Sequence, residues 1–268
     1  MTSTSGSSKH SPVETAAVVA HGRIDVGDAV ERVRAAADRA GVELVDEENA
    51  QLVVAVGGDG TILRTLARLL GTGVPVIGVN FGRVGFLASI APERLEEDLA
   101  RVFAGEYRTV ELSTLEVSVG GRTEVAVNDV VVAGGTLGRM VELGYAIGGE
   151  DLGSRPCDGL ICATPTGSTA YNLSNGGPVL VWGLDAMVLT FVAPHALDIR
   201  PLVVPRGLEV TVENRTTGLD ATVLVDGHEV GTLSDKEQAV VHVGEQRSLI
   251  ATLPEMTFFK RYAATFGR

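Results

Sequence analysis

Residues 51–71 read QLVVAVGGDGTILRTLARLLG, and the change of periodicity inside that stretch decides the fold. Residues 51–56 are a short, nearly unbroken apolar run, as a strand covered on both faces requires. After Gly57-Gly58-Asp59-Gly60-Thr61, the residues Ile62, Leu63, Leu66, Leu69 and Leu70 fall at helical spacing, and Gly71 closes the helix. The stretch is therefore strand, glycine turn, helix. Working outward, 16–20 is another strand-length apolar run, 26–40 has helical spacing with charges between, 75–79 reads as a strand and 92–103 as a helix. This alternation predicts an α/β domain with a parallel sheet and crossover helices over residues 13–104.

Past Gly105 the texture changes. Strand-like segments at 107–119, 123–133, 139–147, 160–163, 187–192, 202–204, 208–212, 221–225, 239–243 and 248–253 are separated by glycine-rich turns, with one short helix near 168–173. A second, β-rich domain over 105–253 is the expectation. Residues 254–268 carry a final amphipathic helix, 257–266, expected to pack back on the first domain. The first twelve residues, mostly Ser, Thr and Gly without the apolar core of a signal peptide, read as a disordered tail.

Composition narrows the function. The 268 residues carry a net charge of −12, so the long-range field repels polyanions and nucleic acid is not an expected partner. No apolar run approaches the ~20 residues a membrane span needs. Cys157 and Cys162 are the only cysteines and supply neither a disulfide framework nor a metal-ligand set, which fits a reducing, cytoplasmic setting.

Three constellations carry chemistry. The glycines of Gly57 to Thr61 sit where a strand turns into a helix, so backbone N–H groups and the helix dipole can meet phosphate oxygens there. Asp59 is the odd member, because a carboxylate beside phosphate is repulsive unless it takes a proton or meets the phosphate through a metal. That combination suggests phosphoryl transfer; the plainer reading is a tight β-to-α bend. Neither Gly-Lys-Ser/Thr nor G-x-G-x-x-G occurs, so the usual nucleotide loops lose support. The second constellation, Asp158 to Asn172, ends a strand at Thr164, breaks at Pro165 and crowds hydroxyls into 164–171. Such a corner can hold a heteroaromatic ring and its ribose without charge, with Tyr171 as an aromatic face, although a helix cap with small packing residues reads the same way. Third, Asn128-Asp129 interrupts an apolar strand and needs polar partners, unless the position is a bulge or faces solvent.

Together these stretches resemble the NAD kinase family over about residues 53–205. The Gly-Gly-Asp-Gly-Thr loop at 57–61 is shared with 6-phosphofructokinases and diacylglycerol or sphingosine kinases, whereas Thr-Pro-Thr-Gly-Ser-Thr-Ala-Tyr at 164–171 is specific to this family. Residues 78–87, 174–178, 194–197 and Arg200-Pro201 are similar to it as well. The resemblance implies an N-terminal Rossmann-like α/β domain, a C-terminal β-sandwich-like domain and a homodimer or homotetramer. The implied reaction moves the terminal phosphate of ATP or polyphosphate to the adenosine 2′-hydroxyl of NAD, with Mg²⁺ or another divalent cation held mainly through donor phosphates.

By the same resemblance, Asp59 is the candidate general base and Gly57, Gly58, Gly60 and Thr61 hold the donor. Asn128, Asp129, Thr166, Thr169, Ala170 and Tyr171 line the adenosine side of NAD. Asp129 stands where the family has Glu. Asp158 corresponds to a carboxylate that reaches the nicotinamide side, often of a neighbouring subunit's ligand. His228 follows Asp226-Gly227, where a family segment and an ordinary hairpin turn coincide, and is carried as a further NAD contact. Two alternatives stay open: a lipid or sugar kinase sharing the glycine loop, and a non-catalytic dinucleotide sensor.

Overall fold

The computed structural model describes residues 10–20, 26–81, 85–135, 139–195 and 199–267. Residues 1–9 of the expected tail, and parts of two family-like stretches, 82–84 and 196–198, lie outside these. Two compact units emerge, Met1–Glu111 with Ser248–Arg268, and Leu112–Arg247.

In the first unit the strands β1 (Thr15–Ala20), β2 (Glu43–Leu44), β3 (Leu52–Gly57) and β4 (Val76–Asn80) form a parallel sheet in the order β2-β1-β3-β4, and Ile250 near the end of a later strand pairs with Val76. All six residues of β3 are buried, as its unbroken apolar run requires. Helices α1 (Gly27–Ala40) and α3 (Leu95–Phe103) cover the face of Leu52, Val54 and Val56 with Val33, Ala37, Leu95 and Leu99. Helix α2 (Asp59–Arg68) lies on the opposite face, where Gly78 comes so close to Ile62 that a Cβ would overlap it. His10, inside the expected tail, stacks its ring on Tyr107 at 4.2 Å.

The second unit is a β-sandwich. One sheet runs β12 (Leu202–Pro205), β11 (Ala186–Val192), β10 (Gly159–Ala163), β7 (Asp129–Gly134), β14 (Ala221–Val225), β15 (His228–Leu233). The other is built from β5 (Arg108–Val119), β6 (Arg122–Ala126), β8 (Val141–Ile147), β9 (Glu150–Cys157), β13 (Val210–Asn214) and β16 (Gln238–Thr252). Alternate residues point inward: Val130 and Val132, Leu160 and Cys162, Met187 and Leu189 meet Leu115 and Val117, Leu143 and Tyr145, Val210 and Val212 in one core. Between β10 and β11 stand a 3₁₀ turn, Gly167–Thr169, and a short helix α4 (Tyr171–Ser174).

Several elements differ from the sequence reading. The run 123–133 is cut at Val127-Asn128 into β6 and β7, and the runs 239–243 and 248–253 join into one strand, β16. Strand β9 has no strand-like pattern and contains Pro156; among the described strands it pairs only with β8, and an edge is where a missing N–H is tolerated. Helix α2 begins at Asp59, one turn earlier than its apolar spacing suggests.

Candidate active site

In the first unit, β3 ends at Gly57, Gly58 caps α2, and Asp59 is its first residue. The first N–H groups of a helix have no intrahelical acceptors, so those of Asp59 and Gly60 can meet an anion, whereas Thr61 N–H already donates to Gly58 O at 2.9 Å. The carboxylate of Asp59 turns toward the segment after β4. Phe86 N–H donates to its Oδ2 at 2.6 Å and Leu87 N–H to its Oδ1 at 3.1 Å. Gly85 packs against this carboxylate so tightly that a Cβ would overlap both oxygens' space. Thr61 Oγ1 is buried and has no hydrogen-bond partner among the described residues.

Behind the loop lies Arg261 of α5 (Phe258–Phe266), 3% exposed. It donates to the carbonyls of Phe86, Leu87 and Ala88 and to the hydroxyls of Ser89 and Thr252. Burial lowers its pKa to about 10, and the charge of Asp59 opposes that fall.

In the second unit, the break between β6 and β7 is held by Asp226. Its carboxylate accepts from the N–H groups of Val127, Asn128 and Asp129 at 2.9, 2.7 and 3.1 Å. Asp226 (φ 47) and Gly227 (φ 81) are the left-handed centre of the β14–β15 hairpin, the turn expected there. Burial raises the Asp226 pKa, while the three N–H bonds and His228 pull the other way. Burial, and then the charge of Asp226, push Asp129 up to about 7. Cys162 is pushed up to about 12, mainly by burial and secondarily by Asp129.

The hydroxyl-rich corner folds against the same break. Thr164 N–H donates to Asn128 O at 2.8 Å and Thr164 Oγ1 to Val127 O at 2.7 Å, and a Cβ on Gly167 would overlap the Asn128 backbone. Most of these hydroxyls serve the fold itself. Ser168 Oγ donates to Pro165 O and accepts from Leu180 N–H, Thr169 Oγ1 donates to Thr166 O, and Asn172 ties Ser168 O to Thr190. Two polar atoms are left over: Asn128 Oδ1 and Thr166 Oγ1 are buried without partners among the described residues. An orphaned buried acceptor is costly unless a ligand supplies the missing bond.

Asn128, Asp129, Thr166 and Asp226 thus converge through adjoining segments, with Thr169 and Ala170 partly buried beside them and the Tyr171 ring 46% exposed at the start of α4. His228 is exposed but near enough to Asp226 to act on its charge. Asp158 is not in this cluster. It precedes β10 while Thr164 follows it, a separation of roughly 20 Å at the rise of a strand. Sequence reasoning missed the clamp role of Asp226, the close approach of Gly85 and the place of Arg261. The only local hint was an arginine inside the aromatic pattern FFKRYAATF.

An acid at a helix start in one unit and buried unpaired polar atoms at a strand break in the other are features that a phosphotransferase acting on a nucleotide needs. Residues 6–107 match the ATP-NAD kinase N-terminal domain and residues 127–253 the ATP-NAD kinase C-terminal domain. The NAD kinase of Gemmatimonas aurantiaca is 38% identical over 233 residues, 85% of this chain and 81% of that protein. That of Heliobacterium modesticaldum is 39% identical over 214 residues, 78% and 76%. Among solved structures, an NAD kinase from Archaeoglobus fulgidus in complex with ATP superposes with a TM-score of 0.79 at 28% identity, covering 94% of this chain and 97% of that one. Yeast NADH kinase complexed with NADH superposes at 0.83 with 20% identity, covering 96% and 88%, a likeness of fold. The chain belongs to the NAD kinase family, and its activity is the phosphorylation of NAD.

Proposed function

We propose that the 2′-hydroxyl oxygen of the adenosine ribose of NAD attacks the terminal phosphorus of ATP, that the bond to the bridging oxygen breaks and releases ADP, and that the hydroxyl proton passes to Asp59. The observation that carries this reading is the setting of Asp59. It begins α2 and accepts one backbone N–H on each oxygen, and a carboxylate oxygen has a second lone pair free for a substrate hydroxyl. In a loose transition state little covalent work falls to the protein, so placement and charge neutralisation dominate. The amides of Gly58 and Gly60 at the helix start, with the unpaired Thr61 hydroxyl, suit the donor phosphates, while Thr61 N–H donates to Gly58 O at 2.9 Å.

The unpaired Asn128 Oδ1 and Thr166 Oγ1 suit the N–H and O–H donors of adenosine, Thr169 and Ala170 border them, and Tyr171 offers a ring face. Among the described residues no group of three or more His, Cys, Asp or Glu could hold a metal ion. In this reading a divalent cation, magnesium, arrives on the donor phosphates and offsets their charge. Polyphosphate would satisfy the same loop as ATP. Because Asp158 stands at the far end of β10 from the adenosine cluster, its proposed partner is the nicotinamide half of NAD bound to a neighbouring copy, in a homodimer or homotetramer working in the cytoplasm.

The test is Asp59→Asn assayed with ATP, Mg²⁺ and NAD, following NADP with an NADP-specific dehydrogenase. A fall in kcat of roughly 10²- to 10⁴-fold is expected, with KM for NAD nearly unchanged. Wild-type kcat in this variant would rule out the base assignment.

A further inference from the structure

We propose that Arg261, on the terminal helix α5, is a positioning residue for Asp59, acting through the single peptide unit that joins Phe86 to Leu87. The inference rests on the role given to Asp59 above and adds to it a residue outside the substrate-binding loops.

Arg261 Nη1 donates to the carbonyl oxygen of Phe86 at 3.0 Å, and the N–H of the same peptide plane, that of Leu87, donates to Asp59 Oδ1 at 3.1 Å. A peptide unit is rigid, so whatever fixes its carbonyl fixes its N–H. A cation on the oxygen also polarises the amide and strengthens its N–H as a donor, as in any chain of hydrogen bonds inside a low-dielectric region. Guanidinium and carboxylate therefore communicate across one plane without touching. The neighbouring planes are held as well: Nη1 also meets the carbonyls of Leu87 and Ala88, and Nη2 meets Ser89 Oγ at 2.6 Å and Thr252 Oγ1 at 2.8 Å.

A simple packing role does not require this residue. Helix α5 already grips the same loop through rings, with Phe258 at 5.2 Å and Phe266 at 6.2 Å from the Phe86 centroid. Burying a cation there is expensive unless its charge and its donors are used. Only a planar fork with several donors can reach three carbonyls and two hydroxyls at once, which lysine cannot do.

The experiment is a double-mutant cycle on the full chain, read in single turnover with enzyme in excess over NAD. Arg261→Lys in the wild-type background should lower the rate of transfer by about 10- to 100-fold, the size of effect expected when a reacting group is misplaced, with NAD affinity kept within about twofold. In the Asp59→Asn background the same change should cost nothing further, because the group it positions is gone. Equal losses in both backgrounds would mean that Arg261 only supports the fold, and full activity of Arg261→Lys would overturn the proposal outright. Should Arg261→Lys not fold, Ser89→Ala removes one guanidinium partner. It should lower the rate by about threefold in the wild-type background alone, and an unchanged rate counts against the proposal. If Asp59→Asn itself keeps the wild-type rate, the base assignment has failed. If that variant is impaired while Arg261→Lys is not, only the positioning role has failed.

Discussion

The clearest quantitative consequence of the site concerns Asp129, which is 7% exposed and pushed up to about 7 by burial first and by Asp226 second. The charge acting on it is that of Asp226 in the β14–β15 turn, which is itself influenced by His228, and Asp129 in turn raises Cys162 on β10. In the unfolded chain the same carboxyl ionises near about 3.9. Between those two values the folded protein keeps a proton that the unfolded chain has lost, so raising the pH favours unfolding. The associated stability is complete below about pH 4 and is lost as the pH rises through about 7. Each unit of separation corresponds to about 1.4 kcal/mol, and about two of the three units lie above pH 5. Asp129→Asn keeps the side-chain shape and removes the titration. Relative to wild type, the variant should therefore gain about 3 kcal/mol of stability between pH 5 and pH 8. Urea denaturation of both proteins at the two pH values, followed by far-ultraviolet circular dichroism, measures this directly. A stability difference that does not change with pH would refute the account of Asp129.

Two further outcomes follow from close contacts. Gly85→Ala drives a Cβ into the Asp59 carboxylate; kcat should fall by about 10²-fold with little change in KM for NAD, measured by the coupled NADP assay. Asp226→Ala strips the acceptor from three backbone N–H groups and should cost about 3–5 kcal/mol, seen as a Tm lower by about 10 °C in calorimetry. In that same variant Asp129 loses its charged neighbour, so the pH dependence described above should weaken.

Much of the fold was readable because it is local. The buried run of β3, the glycine turn and the amphipathic face of α2 are consecutive, and each carries its own period. Strand β9 was not readable, since Glu150, Asp151 and Pro156 hide it and only pairing with β8 makes it a strand. The join of 239–243 to 248–253 was hidden in the same way: Glu245, Gln246 and Arg247 look like a loop, yet Thr114 Oγ1 bonds Gln246 O and Glu116 bonds Glu245 N–H, so the strand continues through them.

The residue order alone determined the kinds of elements, the family-specific segment at 164–171 and the identity of Asp59, because strand and helix periods and a glycine turn are properties of neighbouring residues. What holds those groups came only with the folded chain. The donors to Asp59 lie 27 and 28 positions away, those to Asp226 lie 97 to 99 away, and Arg261 reaches back more than 170 positions to the same loop. Hydrogen bonds between such distant groups leave no periodic trace in a linear sequence, and packing alone decides which polar atoms are paired and which, like Asn128 Oδ1 and Thr166 Oγ1, have no partner among the described residues.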